Sequence, residues 1–211
     1  MSTGKCNCRL YMKRKSSADP SQVQLPRAPF LWLPKTSQRV VFFGLIVLTA
    51  VLMAAIFVTN APLQNPAAPM GIVSLQLAGS LAAAREILAS WGPAAQRWAI
   101  LNLVIDYPYL LAYATTLGLG CVLIARRLQG PSRIAAVGVW VAWGVLGAAL
   151  LDAVENAALL CLLLGDLREG WVVLAFWCAV PKYVLVLAAL AYLGIGGLLE
   201  LISAASKRRS R

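Results

Sequence analysis

Four stretches of this chain are almost free of charge for long enough to cross a lipid bilayer. They are Val40–Thr59, Trp98–Ala125, Ile134–Leu164 and Trp171–Ile202. A hydrocarbon core about 30 Å thick needs roughly 20 helical residues. Hydrocarbon offers no hydrogen-bond partner, so each stretch is a helix or part of a closed barrel. Barrel strands alternate apolar and polar residues over about 10 positions, and these runs do not alternate. With 60% hydrophobic and 13% charged residues, the chain is neither a disordered polymer nor a water-soluble globule. The expected class is an all-α membrane protein, a bundle of four transmembrane helices filling residues 40–203.

A fifth stretch, Gly71–Trp91, has a different pattern. Leu77, Leu81, Ala84, Leu88 and Trp91 share one helical face, while Gln76, Ser80 and Ser90 lie away from it. That is amphipathic periodicity. Pro62, Pro66 and Pro69 precede it and Gly92-Pro93 ends it. The reading is one amphipathic helix over 71–91, lying at the interface or packed on the bundle.

Charge sets the topology. Lys and Arg gather on the cytoplasmic side. With four spans, the N-terminal arm, the loop carrying Arg126, Arg127 and Arg133, and the tail at 204–211 share one side, with fifteen of the 19 basic residues. Arg85, Arg97 and Arg168 are left opposite. A fifth span at 71–91 would separate the arm from the other two basic regions. The expectation is a multi-pass membrane protein with both termini cytoplasmic.

Residues 1–39 are basic and rich in Pro, Ser and Gln, a composition that does not fold alone. They read as a disordered cytoplasmic arm and positive-inside flank, over-extended if the start is Met12. An electrostatic tether to anionic lipid is the sharper alternative. Phe30, Leu31 and Trp32 beside Lys35 are expected at headgroup level. A signal peptide is disfavoured, because 39 residues precede an apolar run longer than a usual h-region. Cys6-Asn7-Cys8 lacks metal or redox spacing, and Cys121, Cys161 and Cys178 read as small packing residues. The chain has no His, which removes a Ser-His-Asp triad, bis-His haem and imidazole-bound zinc. No catalytic residue, metal or cofactor is expected. The expected partners are the lipid bilayer and further copies of the chain, with no nucleic acid.

Ionisable groups inside a span are costly. Four lie well inside: Asp106, Asp152, Glu155 and Lys182. Measured from the outer helix ends at 1.5 Å per residue, they fall about 12, 18, 14 and 16 Å deep, in one slab. Asn102, Asp106, Tyr109 and Tyr113 share one face of the second span, and Asp152, Glu155 and Asn156 one face of the third. Lys182 and Tyr183 follow Pro181, which frees a carbonyl at similar depth. Gly144, Gly147, Ala148 and Ala149 would admit a close neighbour. Three carboxylates and one ammonium do not balance, so Glu155 or Asp152 is expected to carry a proton.

The segments GIVSLQLAGSLAAAREILASWG, IDYPYLLAY, LLDAVENAALL and CAVPKYVLVLAALAY together resemble an uncharacterised family of small bacterial four-span integral membrane proteins. The resemblance covers about residues 70–195, with Asp152-x-x-Glu155-Asn156 its most specific element. It implies four spans and treats Asp106, Asp152, Glu155, Asn156 and Lys182 as one set. It implies no substrate, reaction or cofactor. Where the family has a bulky residue such as Phe beside the Asp, this chain has Tyr107-Pro108, a kink that leaves the facing of Asn102 less defined than that of Tyr109.

Three functions compete. One is a small-solute or proton-handling site formed by Asp106, Tyr109, Tyr113, Asp152, Glu155, Asn156, Lys182 and Tyr183. The second is a structural or assembly subunit whose polar cluster only locks helices together. The third is an intramembrane lipid- or quinone-modifying enzyme, against which stands the lack of a nucleophile motif.

Overall fold

The computed structural model describes residues 27–30, 34–128 and 133–209. Residues 1–26, with Cys6 and Cys8, lie outside the described residues, as do Leu31 and Trp32. Six helices follow in order: α1 (Lys35–Asn60), α2 (Ile72–Gln76), α3 (Leu81–Ser90), α4 (Pro93–Arg127), α5 (Arg133–Leu163) and α6 (Glu169–Arg209). Four of them, α1, α4, α5 and α6, are long and apolar enough to cross a membrane. They make an all-α multi-pass bundle. Each expected span is present; α1, α4 and α6 extend past the apolar run at both ends, and α5 matches its run to within one residue. Gly92-Pro93 starts α4 five residues early, since proline at the first helical position loses no bonded N–H. Pro108 and Pro181 lie inside α4 and α6 without ending them.

The long helices run up and down in sequence. α4 packs against α1 and α5, α5 against α6, and α4 also touches α6. α1 is peripheral, leaning on α4. The α5–α6 seam is closest at Gly138, where a Cβ would overlap the Tyr192 hydroxyl, and at Gly144 beside Leu185. Ala148 and Ala149 are buried, but Gly147 meets no neighbour and is not part of the seam. The outward faces are apolar: Phe43, Val47, Leu111, Trp140, Leu150, Trp177 and Leu187 are all exposed. A surface of that kind is stable against lipid and not against water.

Residues 61–92 cover one end of the bundle, and here the single helix expected over 71–91 is corrected. Gly79 takes a positive φ of 67° and Ser80 is extended, its hydroxyl accepting from Ala83 N as the cap of α3. Two short helices result, so the register of α3 does not carry back to Gln76. Gln76 is buried, not on a polar outer face. Leu63, Ile72, Leu75, Ile87, Leu88 and Trp91 form a core with Leu103, Leu159, Leu162 and Val172 of the long helices. Trp91 Nε1 donates to Leu63 O at 2.8 Å. Asn60, at the end of α1, accepts from Ile72 N at 2.8 Å. Gly71 sits against that carboxamide with φ 63°, and a Cβ there would overlap it.

The opposite end is basic. Arg126 donates to Gln38 at 3.0 Å, and Arg127 pairs with Glu200 at 2.7 Å. Phe30 packs onto the bundle. Its ring packs against Gly118, about 14 Å from the end of α4 at Arg127, because that glycine leaves a socket between α4 and α5. Trp143 Nε1 donates to Arg27 O at 3.1 Å and fixes the same segment.

Candidate functional site

The Asp152-x-x-Glu155 spacing places both carboxylates on the α5 face that meets α6. There Lys182 reaches both: Nζ lies 2.8 Å from Asp152 Oδ1 and 2.7 Å from Glu155 Oε2. All three side chains are buried, Glu155 completely. The Asp152 contact is a formed hydrogen bond. The Glu155 contact is an ion pair without hydrogen-bond geometry, so neither Glu155 oxygen has a formed hydrogen bond. Tyr113 of α4 donates to the other Asp152 oxygen at 3.0 Å. Asp152 thus joins α4, α5 and α6 at one point.

Asp106 stands differently. Asn156 Nδ2 donates to its Oδ2 at 2.7 Å, and the Asp152 carboxyl lies alongside. Among the described residues no cation comes within ion-pair distance of it. Lys182 contacts both Asp152 and Glu155, so that trio keeps one carboxylate in excess and Asp106 adds a second.

A cavity of about 360 Å³ opens beside this cluster. Its polar wall is Asp106, Asp152, Lys182, Tyr109, Tyr113 and Tyr183. α1 contributes Thr49, Met53 and Ile56, α2 contributes Ile72, Val73 and Gln76, and α6 adds Val186 and Leu190. Glu155 and Asn156 stand behind the wall and do not line it. Tyr183 donates to Gln76 Oε1 at 2.6 Å, tying α6 to the α2 roof. The Tyr109 hydroxyl reaches Met53 Sδ, at 3.6 Å.

Asn102 lines the cavity but turns from the charges. Its Nδ2 donates to Thr59 Oγ1 at 2.7 Å and to Ile56 O at 3.0 Å, so it anchors the end of α1. Thr49 and Thr116 share a 2.9 Å bond that ties α1 to α4 further down. The spacing Asn102, Asp106, Tyr109, Tyr113 thus gives one wall of the cavity. The roof residue Gln76 was hidden by the assumption of an unbroken helix, and Thr49, Thr59 and Thr116 by their ordinariness in apolar helices. Two of the three polar residues off the expected apolar face, Gln76 and Ser90, make tertiary hydrogen bonds, a signal that the face was not simply wet.

At the capped end, Asp166 accepts from Arg168 Nε at 2.6 Å and from Trp171 Nε1 at 2.8 Å. The Arg168 hydrogen bond, then that of Trp171, holds the Asp166 carboxyl below its ordinary range. Glu169 accepts from Leu81 N at 3.0 Å, fastening α3 to the start of α6. Cys121 and Cys178 are buried and Cys161 half-buried, all three as free thiols. Among the described residues no set of three or more acidic or thiol side chains is grouped as metal ligands would be. Comparison with protein-family models, with curated proteins and with solved structures returned no match to this chain.

Proposed function

We propose that this chain is a bacterial inner-membrane protein, both termini cytoplasmic, whose cavity and polar cluster handle a small solute or protons. The observation that carries the reading is the carboxyl left over beside a cavity. Lys182 is shared by two carboxylates, and Asp106, on the cavity wall, has no cation of its own among the described residues. A lone charge in a low-dielectric interior is completed by a proton or by a cation. Either can be exchanged where the group meets open space. The orientation rests on the basic end, which carries Arg39, Arg126, Arg127, Arg133 and Arg209.

Infrared spectroscopy of the protein in bilayers tests this. The expected result is a buried protonated-carboxyl C=O band in the wild type that loses intensity in Asp106→Asn. A wild-type spectrum without such a band sinks the proton reading, and a band of undiminished intensity in the variant sinks the assignment to Asp106.

The structural reading keeps one specific support. Lys182, Asp152 and Tyr113 join three helices through buried contacts and would hold the bundle whether or not the cavity is used.

A further inference from the structure

We propose that the cavity takes a monovalent organic cation with an apolar body, such as a protonated hydrophobic amine, and admits it from the bilayer between α1 and α6. This deepens the solute reading above and rests on it. Three features carry the inference.

The first is charge. Of the ionisable groups on the wall, Lys182 and Asp152 already face each other, and Asp106 is the one without an opposite partner. An anion entering the cavity would meet Asp106 and Asp152, and a neutral guest would leave Asp106 uncompensated. A cation replaces the missing counter-charge. The Tyr109 ring on the same wall offers a face that attracts cations and not anions, while the Tyr183 ring already carries Lys182 Nζ, 4.9 Å from its centroid.

The second is the apolar remainder. Met53, Ile56, Ile72, Val73, Val186 and Leu190 line the space away from the charges, so a guest needs an apolar body as well as a charged head. A cavity of about 360 Å³ is at the small end of the range for ligand sites, which fits a compact amphiphile and not a whole phospholipid.

The third is the route. α1 and α6 each lean on α4 and are not themselves a packed pair. Met53 of α1 and Leu190 of α6 both line the cavity and are exposed. The α2 roof, held by the Tyr183–Gln76 bond, covers the capped end. Towards the basic end Phe42 of α1 and Leu193 of α6 converge on Gly120. The side left open faces lipid, where an amphiphilic cation concentrates.

The test uses the full chain in nanodiscs of zwitterionic lipid, with empty discs subtracted. The probes are tetraphenylphosphonium and tetraphenylborate, similar in size and opposite in charge. Saturable binding of the phosphonium alone is expected, weakened about thirtyfold or more by Asp106→Asn. Val186→Trp, which fills the cavity while leaving Asp106 in place, is expected to lose it too. Equal binding of both probes, binding that survives Asp106→Asn, or no saturable binding in the wild type overturns the proposal. The first of these needs no variant to fold. A carboxyl band that is sensitive to Asp106→Asn in discs that bind no phosphonium would defeat this inference and leave the proton reading standing.

Discussion

The two sides of the polar cluster are built on opposite terms. On the α5–α6 side, Asp152, Glu155 and Lys182 are buried against one another, with Tyr113 closing the set. One ammonium there faces two carboxylates, and Glu155, fully buried, does not line the cavity. On the α4 side, Asp106 keeps one neutral donor, Asn156, and borders the cavity. The difference teaches that a charged cluster inside a membrane is not one object. Part of it holds helices together, and part of it is left incomplete where a guest or proton can reach.

The comparison can be broken most severely at Lys182. Lys182→Met leaves Asp152 and Glu155 buried without a counter-ion, and breaking a pair in this way costs about 3–5 kcal/mol. The expected outcome is loss of folded protein, read by thermal unfolding in mild detergent. Wild-type stability in that variant would mean that the α5–α6 side is not a lock. Asp152→Asn is gentler, because Glu155 still faces Lys182 and the amide oxygen still accepts from Tyr113. It should cost about 1–3 kcal/mol in the same assay.

Tyr183→Phe removes only the bond to the roof. Interhelical hydrogen bonds in membranes average about 0.6 kcal/mol, so stability should fall by that order while α2 loosens. Faster amide exchange at Leu75–Leu77 would report it, and unchanged exchange would show that the roof is held by its apolar core instead. The smallest effect lies outside the spans, at Asp166. Its carboxyl is held low by Arg168 and Trp171, so its contribution is present above the ordinary carboxylate range. It is lost as pH falls through the depressed folded value. Acid should therefore release the Trp171 indole late, below the usual carboxylate range, as a change in tryptophan fluorescence that Asp166→Ala removes. A transition at the ordinary carboxylate pH would contradict the contact.

Much of this was legible in the chain because its strongest signals are one-dimensional. Length and apolarity specify the four spans. The i, i+3, i+4 spacing of Asp152, Glu155 and Asn156, and the 4-3-4 spacing from Asn102 to Tyr113, specify which face each group shares. What spacing leaves open is which neighbour the face meets. Asn102 has the same face as Asp106 yet bonds to α1, and nothing in α4 alone predicts that. The break between α2 and α3 was obscured for another reason. Gly79-Ser80 is a helix stop and an N-cap in sequence, but the apolar residues on either side continue a helical period across it. The socket for Phe30 depends on Gly118, one of many glycines in apolar helices, and becomes visible only when α5 is in place.

The most direct measurement is the unfolding stability of Asp106→Asn set beside that of Lys182→Met. If Asp106 is an unfilled position and not a fastening, its amide still accepts from Asn156 and no longer opposes Asp152. The variant should then be as stable as the wild type or slightly more so, while Lys182→Met falls apart. An Asp106→Asn protein as damaged as Lys182→Met would show that all four charges are one structural knot and that the cavity beside them is incidental.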